Sequence, residues 1–194
     1  MPVIGTVGMP GSGKGEVAAV AAAAGIPVVT MGDVIRAACR DRGLDPADHH
    51  GAVAQALRDE GGPAAIAEAS LPRVEEALEE AETVVVDGLR SPDEVARFRD
   101  RFGDEFSVLA VEASFDTRAD RLAERGRDAT DADRERLRER EKRELGWGMG
   151  EVIEAADRRI ENEDRSLAAF RAAVREVLGV DQAETPAGPA GSER

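Results

Sequence analysis

Short apolar runs alternate along this chain with longer stretches in which apolar residues recur every three or four positions. The runs at residues 2–8, 26–31, 83–86 and 106–111 are too short for helices, and they are too continuous for half-exposed strands. They read as strands buried on both faces, with a fifth near residues 159–162. Helical spacing occupies residues 13–24, 32–42, 47–60, 63–81, 116–125 and 166–178, and another helix begins at Pro92 behind the N-cap Ser91. Strands separated by helices predict an α/β three-layer sandwich around a five-stranded parallel sheet. Residues 1–180 read as one domain. The tail at 181–194 carries Pro, Gly and Ser without periodicity and is expected to be disordered.

Residues 127–144 break the pattern, because they are charged throughout and Leu137 is their one large aliphatic residue. A helix polar all round either stands in solvent or closes over something charged. Its position in the chain favours a lid, taken to span residues 127–150. Trp147 follows among glycines that could hinge the lid's return, and it is expected as a buried anchor, with base stacking as the other reading. His49 and His50 lack ligand spacing and are expected at the surface.

Composition narrows the partners. The net charge of -14 disfavours binding to nucleic-acid backbones, which need a basic footprint. Lys14 and Lys142 are the only lysines, so nearly all cations are arginine. With the acid excess, this points to a salt-adapted, halophilic cytoplasm, where self-repulsion is screened. No signal peptide or membrane span is expected: the longest apolar helical stretch falls short of the roughly 20 residues a bilayer requires. The lone Cys39 permits no internal disulfide. Oligomeric state is not legible.

The chemistry begins at Gly8-Met9-Pro10-Gly11-Ser12-Gly13-Lys14, which fits Gly-x-x-x-x-Gly-Lys between a strand and a helix start. Such a loop turns backbone N–H groups around phosphates, the helix N-terminus adds partial positive charge, and the lysine reaches the β- and γ-phosphates. Gly15 takes the place of the hydroxyl that usually ligates Mg²⁺, and Glu16 follows. The metal would then be held by water, nucleotide and another carboxylate, for which Asp87 at the end of the third strand is the candidate.

Three motifs together resemble adenylate kinase and its relatives. Residues 8–15 are similar to the family loop Gly-x-Pro-Gly-x-Gly-Lys-Gly. Met31-Gly32-Asp33-Val34-Ile35-Arg36 resembles Thr-Gly-Asp-Met-Leu-Arg, whose arginine grips the acceptor phosphate. Asp87-Gly88-Leu89-Arg90 resembles the turn Asp-Gly-Phe-Pro-Arg, one residue shorter. Residues 121–127 resemble the start of that family's lid, and Ala156-Asp157 with Asn162 resembles the last strand of dephospho-coenzyme A kinases. The whole pattern is similar to an archaeal family of such kinase-like proteins. The resemblance implies a P-loop fold, ATP and Mg²⁺ as cofactors, and helices at 32–81 that bind the acceptor. Met31, in place of the threonine that helps seat AMP, and the altered lid leave the acceptor open.

The resulting expectation is ATP-dependent phosphoryl transfer to a small nucleotide-type acceptor, either a nucleoside monophosphate or dephospho-coenzyme A. Residues 8–16 would bind the nucleotide. Lys14 and Asp87 would act on the donor, Arg36 and Arg90 would grip the acceptor, and Asp33 would either cap its helix or hold Arg36. Arg127, then Arg138, are the lid arginines expected at the transition state. The alternative is a nucleotide-dependent ATPase or switch acting on a protein or nucleic-acid partner.

Overall fold

The apolar runs form strands because each has somewhere to send both of its faces. In the computed structural model, which describes residues 3–125 and 133–180, β1 (Val3–Val7) is buried at every position. The chain continues through α1 (Lys14–Ala23), β2 (Val28–Thr30), α2 (Met31–Asp41), α3 (Pro46–Gly61) and α4 (Ala65–Glu80). Next come β3 (Val84–Asp87), α5 (Pro92–Phe102), β4 (Phe106–Glu112) and α6 (Phe115–Arg125). The remaining elements are α7 (Arg134–Gly146), α8 (Met149–Glu154), β5 (Arg158–Glu161) and α9 (Leu167–Leu178).

All pairings are parallel and the strand order is β2-β3-β1-β4-β5. Alternate residues feed two separate cores, as the two-residue period of a strand requires. Val3, Val7, Val84, Val86 and Val108 face the core formed with α2, α3, α4, α5 and α8. Ile4, Val85, Leu109 and Val111 face the core formed with α1 and α9. The expected three-layer α/β sandwich is therefore present. Ser91 caps α5 as expected, accepting from Glu94 N at 3.3 Å. Among the described residues, no helix is long and apolar enough to cross a membrane.

This topology fixes where a ligand can sit. β1 leads into α1 on one face, whereas neighbouring β3 leads into α5 on the other. The chain diverges at the carboxyl ends of these two strands, and a divergence of this kind opens a crevice.

Two expectations need adjustment. The glycines at 146–150 are not a bare hinge: Met149–Glu154 is a short helix whose Met149 and Val152 are buried in the core formed with α2, α3, α4 and α5. Gly148 has φ 87°, and a Cβ there would come within 2.6 Å of Pro92, so close approach to α5 requires it. Within the charged segment, α7 starts at Arg134 and buries Leu137 and Glu144. Arg127 and the tail at 181–194 lie outside the described residues.

Candidate functional site

The loop between β1 and α1 is held from outside. Arg118 on α6 donates to the Pro10 carbonyl at 3.1 Å, and Asn162, just past β5, donates to the Ser12 carbonyl at 2.8 Å. In a trans peptide the N–H points opposite to the carbonyl. Fixing those two carbonyls outward therefore turns the Gly11 and Gly13 N–H groups the other way. Gly13 has φ 118°, and a Cβ there would lie 2.6 Å from Asn162 Nδ2, so neither the backbone nor the packing tolerates a larger residue. Ser12 Oγ is buried and, among the described residues, has no hydrogen-bond partner.

Lys14 opens α1 and donates to the Gly8 carbonyl. Burial pulls its ammonium down to about 8, partly opposed by the negative charges of Glu144 and Asp87. Glu16 turns away from the loop and pairs with Arg171 of α9 at 2.5 Å, which removes the repulsion a carboxylate would exert on phosphates.

Asp87 ends β3 directly beside Thr6 in the strand register and accepts from Thr6 Oγ1 at 2.8 Å. It lines the same cleft as Lys14. Among the described residues, no group of three or more metal-ligating side chains exists. A carboxylate beside a phosphate loop suits Mg²⁺, which keeps much of its water and takes phosphate oxygens in preference to an all-protein cage.

That cleft holds about 250 Å³ and gathers cations from four further elements. Arg36 comes from α2 and is oriented by Asp33, which accepts at 2.6 and 2.9 Å. Asp33 thus holds Arg36, and the N-cap position of α2 is Thr30. Arg90 follows β3, Arg58 comes from α3, and Arg140 from α7. Two buried carboxylates stand among them. Glu94 accepts from Arg90 N at 2.7 Å and from Arg58 at 3.2 Å. Glu144 accepts from Arg140 at 3.2 Å and lies 3.8 Å from Arg90 Nη1. A smaller recess lined by Gly13, Glu16, Arg121, Asn162 and Phe170 flanks the start of α1. The buried Arg121 Nη1 has no partner among the described residues.

Several expectations change. Trp147 is 36% exposed and is not a buried anchor; its ring instead faces the guanidinium of Arg58 at 5.1 Å and that of Arg90 at 5.9 Å. His50 lines the cleft, because α3 starts at Pro46 and carries it inward. Burial, aided by Arg90 and Arg36, lowers its pKa. Arg138 lies over the Phe115 ring at 4.7 Å, while Arg140, two residues on, reaches the cleft. Asp157 does not approach the cleft; it accepts from Val108 N at 2.7 Å and fastens the chain before β5 to β4. Arg58, Glu94 and Glu144 were not singled out from sequence. Their signal is a charged residue on an otherwise apolar helix face, and it emerges only once the facing elements are known.

Comparison with known proteins agrees with this geometry. The family model described as an AAA domain matches residues 7–138. A UPF0200 protein from Halobacterium salinarum is 60% identical over 185 residues, covering 95% of this chain and 96% of that protein. A UPF0200 protein from Methanoculleus marisnigri is 48% identical over 92% of this chain and 96% of its own length. Among solved structures, TT1252 from Thermus thermophilus superposes with a TM-score of 0.65 at 22% identity, covering 92% of this chain and 96% of that one. A shikimate kinase from Bacteroides thetaiotaomicron superposes with a TM-score of 0.59 at 17% identity, covering 92% and 98%. Those two likenesses show the fold, a P-loop kinase-like α/β sandwich. With relatives this close over nearly its whole length, the chain belongs to the UPF0200 family of archaeal P-loop proteins.

Proposed function

We propose that this protein transfers the γ-phosphoryl group of ATP to a small nucleotide-type acceptor, a nucleoside monophosphate or dephospho-coenzyme A. One observation carries the reading: Lys14 of the phosphate loop shares a single cleft with Arg36, Arg90 and Arg140, which arrive from three other elements. Phosphoryl transfer needs two anions held in line, charge neutralised on the moving group, and water excluded. A donor loop facing guanidinium forks meets the first two needs. The fold likeness to a shikimate kinase supports phosphoryl transfer as the reaction type and leaves the acceptor to this chain's own residues.

In this reading residues 8–16 cradle the triphosphate through backbone N–H groups, and Lys14 balances the β- and γ-phosphates. Asp87 would hold Mg²⁺ through water, and that ion would supply charge neutralisation. Arg36, fixed by Asp33, and Arg90 grip the acceptor within the helices at 32–81. In this reading α7 serves as the lid, and Arg140 is its arginine at the moving phosphate, being the one on that helix that reaches the cleft. The recess beside Arg121 suits the nucleotide base, since that buried guanidinium has a donor to offer.

The test is ADP formation from Mg-ATP in concentrated KCl, with nucleoside monophosphates and dephospho-coenzyme A added singly. Turnover that depends on one acceptor and vanishes in Lys14→Ala establishes the kinase. Hydrolysis indifferent to every acceptor removes it and leaves an ATPase or switch with a macromolecular partner.

A further inference from the structure

Beyond the arginines assigned above, the acceptor side of the cleft contains a second built feature. Arg58 is largely buried, its side chain 13% exposed, and its Nη2 donates to Glu94 Oε1 at 3.2 Å. Arg90 donates its backbone N–H to the other Glu94 oxygen at 2.7 Å. One carboxylate, 1% exposed, therefore ties together α3, the turn after β3, and α5. The Trp147 ring, at the end of α7, backs both guanidiniums.

A buried ion pair of this kind is weak evidence for a role in stability. Burial pushes the Glu94 carboxyl up against the opposing pull of Arg90 N–H and Arg58. Replacing a buried ion pair with apolar residues of similar size is often neutral or stabilising. What a fixed guanidinium offers is donors: it has five N–H groups in a planar fork, and Glu94 occupies one side of it. Arg58 lines the cleft with Arg36 and Arg90, so three forks, each oriented by a carboxylate or an aromatic ring, border one space.

The cleft's carboxylates are all held by other groups, and the His50 imidazole also lines the cleft. Asp87 is engaged by Thr6, Glu94 by Arg58 and Arg90, and Glu144 by Arg140. A hydroxyl acceptor needs a base to take its proton. A phosphate monoester is already ionised near neutrality, its second pKa being about 6.

We propose that Arg58 is an acceptor-binding residue positioned by Glu94, and that the acceptor carries its own phosphate monoester, gripped by Arg58, Arg90 and Arg36 together. This rests on the phosphoryl-transfer reading and narrows its acceptor to the monophosphate class. In the step, an acceptor phosphate oxygen forms a bond to the γ-phosphorus of ATP. The bond from that phosphorus to the β,γ-bridging oxygen breaks, and ADP leaves with the electron pair. The acceptor gains a phosphoanhydride, and no proton need be removed.

Trp147 is the only tryptophan, so its emission reports on this cluster. The experiment titrates the full chain, without ATP, against AMP, inorganic phosphate, dephospho-coenzyme A and malonate at matched ionic strength. AMP and phosphate should change the emission saturably, and malonate should not. Arg58→Ala and Glu94→Gln should raise AMP half-saturation at least tenfold, with Arg58→Lys recovering part. Binding of labelled Mg-ATP should stay unchanged in all three, which a merely structural lesion would not spare. Should Arg58→Ala misfold, Arg58→Met with Glu94→Leu replaces the pair by apolar volume and carries the same expectation. Lys14→Ala should lose ATP and keep the AMP response; loss of both would place the signal at the phosphate loop and overturn the proposal. Unchanged AMP binding in Arg58→Ala overturns it, as does an equal response to malonate or dephospho-coenzyme A. Wild-type protein that binds AMP but not Mg-ATP would refute the phosphoryl-transfer reading and leave the phosphate site standing.

Discussion

The side-chain amide of Asn162 donates to the Ser12 carbonyl at 2.8 Å, joining two residues 150 positions apart. The last strand thereby sets the shape of the loop that follows the first. Asn162→Ala should leave a buried carbonyl unmet and cost about 1–3 kcal/mol in chemical denaturation. Nucleotide affinity should fall with it. Unchanged ATP affinity would mean that the loop keeps its form without that tie.

The Lys14 ammonium, held at about 8 by burial, gives nucleotide binding a pH dependence. Its folded pKa lies below the ordinary value, so its contribution to stability rises with pH from about 8 towards about 10.4. Bound phosphate acts the opposite way, since it favours the charged form. At pH 8.5 Mg-ATP binding should take up protons, and affinity should fall as pH rises past about 8. Calorimetry in two buffers of different ionisation heat measures that uptake; equal apparent enthalpies would show that Lys14 is already fully charged.

Glu163 accepts from Ser114 N and from the Ser114 and Thr117 hydroxyls, each at 2.6 Å. These bonds, the Ser114 hydroxyl first, hold its carboxyl down at about 2. A depressed carboxyl contributes stability above its unfolded pKa, about 4.3, and loses it as pH falls towards 2. The melting-temperature advantage of wild type over Glu163→Gln should therefore be full at pH 7 and shrink between about pH 4.3 and 2. An advantage independent of pH would mean that the carboxylate charge contributes nothing.

Of the arginines on α7, Arg140 lines the cleft and Arg138 lies over Phe115. Arg140→Ala should lower kcat by about 10³, the lower range for an arginine stabilising a transferring phosphoryl group. Arg138→Ala should leave kcat near wild type. The reverse ranking in steady-state assays would assign the role to Arg138.

Legibility from sequence followed the distance over which each signal acts. The strands, the phosphate loop, and Arg36 with Asp33 could be read because their defining residues are neighbours in the chain. The loop's outer ties, Arg118 and Asn162, belong to other elements, so only the inner half of the cradle was visible. Arg58, Glu94 and Trp147 meet from three elements, and each alone looks like an ordinary helix or turn residue. Trp147 misled because aromatic residues among glycines usually anchor, whereas here two guanidiniums give the ring a polar neighbourhood at the surface. Glu16 had no visible partner in the sequence because Arg171, which pairs with it, lies on the last helix.

The two cores on opposite faces of the sheet work like tools clamped to either side of one jig. Phe170 and Val174 steady the helices behind the phosphate loop, and Ile66 and Val74 steady those that carry Arg36 and Arg58. The strands are what the two sides share, so the separation of the phosphate loop from Arg36 and Arg58 is set through the sheet on which both layers pack. Damage to one layer should then register on one side of the cleft alone, and a lineage could retool the side that carries Arg36 and Arg58 while the mount of the phosphate loop stays as it was.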